Sequence, residues 1–105
     1  MSKNDAKFYI GQIIHHKLFD YLGVIFDIDP IFQGSNEWYE RVALSKPPQD
    51  EPWYHVLVHE AIHTTYVAEQ NLKPADAPKE INHPLVDDFF SQFDGNQYKS
   101  TRHSH

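Results

Sequence analysis

Histidine and glutamate are the residues of this chain best suited to hold a metal and move a proton, and one spacing joins them. His59-Glu60-Ala61-Ile62-His63 matches H-E-x-x-H. On a helix, that spacing sets two imidazoles on one face to bind Zn²⁺, and the glutamate activates the metal-bound water. The flanks argue against a helix. Val56, Val58, Ile62, Thr64, Thr65, Tyr66 and Val67 are β-branched or aromatic, which favours strands. Along one extended strand the two histidines would stand ~13 Å apart, too far to share an ion. A hairpin breaking near Glu60-Ala61 would set them across from each other. His59 and His63 then remain a weak surface metal candidate, with no third ligand marked by position. The expectation is a hairpin turn, no catalytic residue and no cofactor. A zinc metalloprotease acting through His59-Glu60-Ala61-Ile62-His63 is the alternative.

Other groups offer less. His15 and His16 fall in an expected strand, so their side chains point to opposite faces and cannot chelate jointly. Asp27 and Asp29 share a face and could pair as carboxylates, but acids ending a strand before Pro30 are ordinary turn formers. There is no P-loop, no G-x-G-x-x-G and no G-x-S-x-G nucleophile elbow.

The elements that must position these groups follow from periodicity. Apolar runs cover Tyr9 to Phe19 and Leu22 to Ile28. In the second, Val24, Phe26 and Ile28 fall on one face and Ile25 on the other, the pattern of a half-buried strand. Ser35 to Leu44 reads as a short helix capped by Ser35 or Asn36, with Trp38 and Val42 as an i,i+4 pair. Three prolines between Lys46 and Pro52 forbid helix. Trp53 to Ala68 gives two strands and a tight connection. Residues 74–82 read as a linker. Residues 83–94 read as a C-terminal helix, with Pro84 at its start, Gly95 at its stop and an apolar stripe of Leu85, Val86, Phe89, Phe90 and Phe93. Residues 95–105 read as a frayed tail.

Length and composition set the bounds. The chain has 105 residues, 40% hydrophobic and 14% aromatic, which suits one domain with its own core. It has no cysteine, which removes disulfides and thiolate chemistry and fits a reducing compartment. No apolar run is long enough to span a membrane, and Met1 to Asp5 carry no signal-type apolar region. The expected address is cytoplasmic.

The net charge is −6. Residues 1–19 hold Lys3, Lys7 and Lys17 against Asp5, a balance of +2. Residues 20–93 hold Arg41, Lys46, Lys73 and Lys79 against thirteen acids, a balance of −9. An acidic body is a poor general binder of polyanions, because phosphate contact needs clustered Lys and Arg.

Four blocks then carry a resemblance. They are Lys7-Phe8-Tyr9-Ile10-Gly11-Gln12, Leu18 to Pro30, Pro52-Trp53-Tyr54-His55-Val56-Leu57-Val58, and Tyr66 to Leu72. Taken in order, with the Trp38-Tyr39-Glu40 insert, they resemble the heat shock protein HspQ family, also called the YccV-like or hemimethylated-DNA-binding family. The resemblance covers about residues 7–90 and implies a mainly β fold: a small SH3-like β-barrel, core about 7–73, with one short inserted helix and a C-terminal helix. It implies a cytoplasmic heat-stress protein that promotes turnover of damaged proteins through the Lon protease, and a second activity of binding hemimethylated DNA. Relatives lack the histidine pair at the hairpin tip. They often carry arginine near the first turn, where this chain has His15 and Leu22 and keeps His16 and Lys17.

The expected partners are therefore a Lon-type protease or its substrates, contacted through Trp38, Tyr39, Leu85, Phe89, Phe90 and Phe93, each of which also suits internal packing. Hemimethylated DNA, contacted through His15, His16 and Lys17, is the second reading. Self-association is left open, and no membrane is expected.

Overall fold

The structure is a computed structural model that describes residues 5–43 and 45–100. The expected helix end at Leu44 and the tail beyond Ser100 lie outside the described residues, as does the chain start through Asn4.

The β-rich runs form one antiparallel sheet. β1 (Ile13–His16), β2 (Leu22–Asp29), β3 (Trp53–Val58), β4 (Thr64–Ala68) and β5 (Leu72–Pro74) lie in the order β4-β3-β2-β1-β5. α1 (Asn36–Val42) is inserted between β2 and β3, and a single 3-10 turn at Glu69–Asn71 joins β4 to β5. Helix α1 starts where expected: the Ser35 hydroxyl accepts the Trp38 N–H at 3.1 Å.

The turn at Glu69–Asn71 forces a curl. β4 and β5 are consecutive in the chain yet lie at opposite edges of the sheet. In a flat sheet, four spacings of ~4.8 Å would separate them by ~19 Å. Four residue steps reach ~14 Å even when fully extended. The sheet therefore bends until its edges approach. Two contacts fasten the bend. Tyr21 Oη and Thr65 Oγ1 hydrogen-bond at 2.7 Å, and the Lys17 N–H donates to the Asn71 carbonyl at 2.8 Å.

Both faces of the curled sheet carry buried side chains. The inner face gathers Phe8, Ile14, Ile25, Tyr54, Val56, Val67 and Leu72. The other face presents Ile13, Val24 and Leu57, covered by Ile81, Val86, Phe90 and Tyr98. The expectation of a half-buried β2 is thus corrected. So is its face assignment: a bulge between Ile25 and Asp27 carries Ile28 to the side of Ile25, while Phe26 stays with Val24. Residues 74–82 are not a detached linker in this structure, since Ile81 belongs to the second cluster.

The C-terminal helix over 83–94 is also corrected. Helix survives only as one turn, α2 (Val86–Phe89); β6 (Phe90–Phe93) and β7 (Tyr98–Ser100) then form a hairpin. Aromatic residues tolerate strand as well as helix, and Asp94-Gly95-Asn96 is strong turn chemistry. Asp94 Oδ1 accepts the Asn96 and Gln97 N–H groups, both at 2.9 Å, and Gly95 takes φ +103°. Gly95 is thus the corner of a hairpin, not the stop of a helix. The fold is a small, mainly β domain with two short α-helices.

This hairpin docks through Gly11. The Tyr98 N–H donates to the Gly11 carbonyl at 2.8 Å, and Gly11 sits at φ +95° with the Tyr98 carbonyl where a Cβ would be. Gly11→Ala should therefore strain the backbone and push the hairpin away. The expected loss is about 2–4 kcal/mol in urea unfolding. An unchanged midpoint would show that the hairpin is not seated on Gly11.

Candidate functional site

A cluster of aromatic rings lies where α1 crosses the outer face of β3 and β4. Phe32 packs tilted against Trp53 at 4.8 Å between centroids, Trp53 against Tyr66 at 5.2 Å, and Trp38 packs edge-on to both Trp53 and Tyr66. The proline connector is tied into this cluster by two donors. Tyr39 Oη donates to the Pro47 carbonyl at 2.6 Å and Trp53 Nε1 to the Pro48 carbonyl at 3.0 Å. No residue of α1 is fully buried, so these rings and tethers hold the helix in place.

A cleft of about 410 Å³ opens beside the cluster. One wall is the β1–β2 turn with Leu18 and Phe19, another is α1 with Trp38 and Val42, and all five residues of β4 line the third. No Lys, Arg, Asp or Glu is among its lining residues. The turn is shaped by His16. Its Nδ1 accepts the N–H groups of Leu18 and Phe19, both at 3.1 Å, and its ring stacks on Phe19 at 4.8 Å. That role requires a neutral imidazole protonated at Nε2. Burial, with a smaller contribution from the neighbouring His15, holds its pKa below the usual value of 6.5.

Behind Tyr66 lies a polar cluster that the sequence alone does not assemble. Asp29 Oδ2 accepts from Tyr66 Oη at 2.7 Å and pairs with His55 Nε2 at 3.0 Å. Burial first, then the Asp29 hydrogen bond, pushes the Tyr66 phenol up. Asp27, Asp29 and His55 bring ligand atoms within 4.8 Å of one another. Among the described residues they are the one such group able to share a cation. The imidazole missing from the Asp27-Asp29 pair in sequence arrives across the β2–β3 ladder, where Asp27 faces His55.

The zinc-like motif occupies the β3–β4 connection and not a helix. Glu60 takes φ +61°, and His59 Nδ1 accepts the Asn82 N–H at 2.9 Å. His83 Nε2 donates to the His63 carbonyl at 3.0 Å. The hairpin tip thus serves as a seat for the C-terminal segment. His59 and His63 as a metal pair remain an expectation.

The three DNA candidates do not form one cationic patch. His16 is buried, His15 pairs with Asp20 at 2.5 Å, and Lys17 is exposed. Of the protein-contact candidates, Trp38 and Tyr39 are half-buried in the ring cluster. Phe90 is buried, Phe89 packs on Phe26 at 4.7 Å, Phe93 packs on Tyr98 at 5.0 Å, and Leu85 is partly exposed. Leu18, Phe19 and Tyr66 were not singled out as contact residues by sequence reasoning. An apolar pair in a turn ending at Asp20, where polar residues are the rule, is the signal that could have found the first two.

The chain is thus a small, mainly β domain with a cleft beside an aromatic cluster. Residues 6–97 match the family described as YccV-like, hemimethylated DNA-binding protein YccV like, and the chain belongs to that family. It is also 35% identical over 96 residues to F-box only protein 21 of Homo sapiens and of Pongo abelii, and 34% identical to that of Mus musculus. The match covers 90% of this chain and 15% of the length of each relative. No helix among the described residues is long and apolar enough to cross a membrane.

The buried neutral His16 gives a pH signature. Its folded pKa lies below the unfolded value, so in acid the unfolded chain binds the proton first. Its contribution is therefore complete above about pH 6.5 and declines as pH falls below that value. In urea titrations between about pH 7 and 5, the wild type should lose more stability than His16→Asn, whose amide oxygen can accept the same two N–H groups. Equal slopes would remove His16 as the titrating group.

Proposed function

We propose that this chain is a non-catalytic protein-binding module on an SH3-like barrel, acting as an HspQ-like modulator that promotes degradation of damaged proteins by a Lon-type protease. The single observation behind this reading is the cleft between the β1–β2 turn, α1 and β4. It is aromatic-flanked and, among the described residues, lined by no Lys, Arg, Asp or Glu. Such a surface takes up apolar side chains and offers a phosphate backbone no Lys or Arg to pair with. The curl described above supports the barrel. In the F-box relatives the matching stretch is one part of a much longer chain, which suits a module whose work is contact. The address that goes with this role is cytoplasmic.

A second reading, a hemimethylated-DNA-binding module, is favoured by the description of the family. Against it stand the acidic balance of residues 20–93 and the dispersal of His15, His16 and Lys17.

One set of purified components separates the two. Adding the protein to a Lon-type protease and a heat-denatured substrate should raise the degradation rate severalfold. Hemimethylated and unmethylated duplexes should show no discriminating gel shift. An unchanged proteolysis rate would overturn the first reading. A hemimethyl-specific shift that weakens steeply with salt would install the second.

A further inference from the structure

The two edges of the sheet differ in how they are protected. β5 ends in Lys73-Pro74, and its inner side is paired to β1. A lysine and a proline are devices that blunt an edge against further pairing. β4 is Thr64-Thr65-Tyr66-Val67-Ala68 and carries no charge, no proline and no glycine. Among the described residues it pairs with β3 alone, with no bulge.

The ladder fixes which backbone groups of β4 are open. The Glu69 N–H donates to the Pro52 carbonyl at 3.1 Å, and the register continues as Tyr54 to Val67 and Val56 to Thr65. Alternation of antiparallel pairs then turns the N–H and C=O of Thr65 and Val67 toward β3. Those of Thr64 and Tyr66 point outward, along the cleft. Leu18, Phe19 and Val42 flank this edge with 55%, 59% and 48% of their surface exposed. Strand groups left unpaired among the described residues and apolar side chains thus face the same space, which is what strand addition requires.

We propose that β4 is a docking edge for an extended apolar peptide segment of another protein, flanked by basic residues, which adds to the sheet as a further strand and seats its side chains against Leu18, Phe19, Trp38 and Val42. This deepens the protein-binding reading and rests on it. Charge selects the occupant. No Lys, Arg, Asp or Glu among the described residues lines the cleft and residues 20–93 have a balance of −9, so acidic segments are repelled and basic flanks are attracted. A second copy of this chain would bring two bodies of net charge −6 together.

The test uses a fluorescein-labelled peptide with an alternating Val/Thr/Phe core between lysines, titrated against the full chain by anisotropy and by amide NMR. Saturable binding is expected, with shifts centred on Thr64 and Tyr66. N-methylation of alternate core amides removes hydrogen bonding while keeping the side chains, and should weaken binding about tenfold or more. Glutamate flanks should weaken it too. Leu18→Ser and Val42→Ser alter exposed side chains, so the thermal midpoint should hold while affinity falls about tenfold.

No saturable binding, equal affinity of the N-methylated peptide, or shifts centred away from β4 would overturn the proposal. So would sedimentation showing a dimer whose β4 amides are already paired. Stimulation of the protease without peptide binding at β4 would sink this inference and leave the binding-module reading standing. Peptide binding at β4 without any effect on proteolysis would support it and remove the protease role.

Discussion

A single 3-10 turn has to join strands at opposite edges of a five-stranded sheet, and the geometry of the domain follows from that. Glu69–Asn71 cannot bridge a flat sheet, so the sheet curls. Curling creates an enclosed face, and that face collects Ile14, Ile25, Tyr54, Val56, Val67 and Leu72. The turn is itself anchored: Glu69 Oε2 accepts from Tyr54 Oη at 2.5 Å and from the Lys7 N–H at 2.8 Å, while Asn71 accepts from Lys17. Burial, with the Glu69 hydrogen bond, pushes the Tyr54 phenol up, so it stays a donor. Tyr21 and Thr65 meet across the closing gap. The two edge strands share no ladder, and the cleft runs along β4 between the β1–β2 turn and α1.

The opposite face of the sheet would be an exposed apolar surface without the C-terminal segment. Ile81, Val86, Phe90 and Tyr98 cover it, and the cover is fastened by histidines. His59 accepts from Asn82, and His83 donates to His63 and accepts from Leu85. In this structure two of the residues that resemble metal ligands in the sequence act as hinge-points of a clamp. His16 does the same for the β1–β2 turn. His59, His83 and His16 act through ring nitrogens, and His63 through its backbone carbonyl.

Much of this was legible in the sequence. Ser35 announced α1, β-branched residues announced the Trp53–Ala68 hairpin, and adjacent His15 and His16 were placed on opposite faces by period alone. Other features were not legible, for physical reasons. The bulge at Ile25/Asp27 has no glycine or proline to mark it. Phe89, Phe90 and Phe93 fit a helical stripe, and only the Asp94-Gly95-Asn96 turn with Tyr98 beyond it reveals the hairpin. Pro84 and Gly95 are legitimate helix signals that served here a one-turn helix and a hairpin corner. The Asp27-Asp29-His55 cluster needs the register of β2 on β3, and the cleft needs the curl; neither register nor curl is local information.

The site therefore rests on one structural claim: β4 is an open edge, with Tyr66 directed outward and its neighbours bound inward. Residue-resolved amide hydrogen exchange on the free 105-residue chain reads this directly. Thr65 and Val67 should exchange slowly, at the rate of the β3 amides they sit beside, while Tyr66 exchanges much faster. Uniform slow exchange across Thr65, Tyr66 and Val67 would mean that the edge is already covered, and would contradict the docking edge and the cleft built along it.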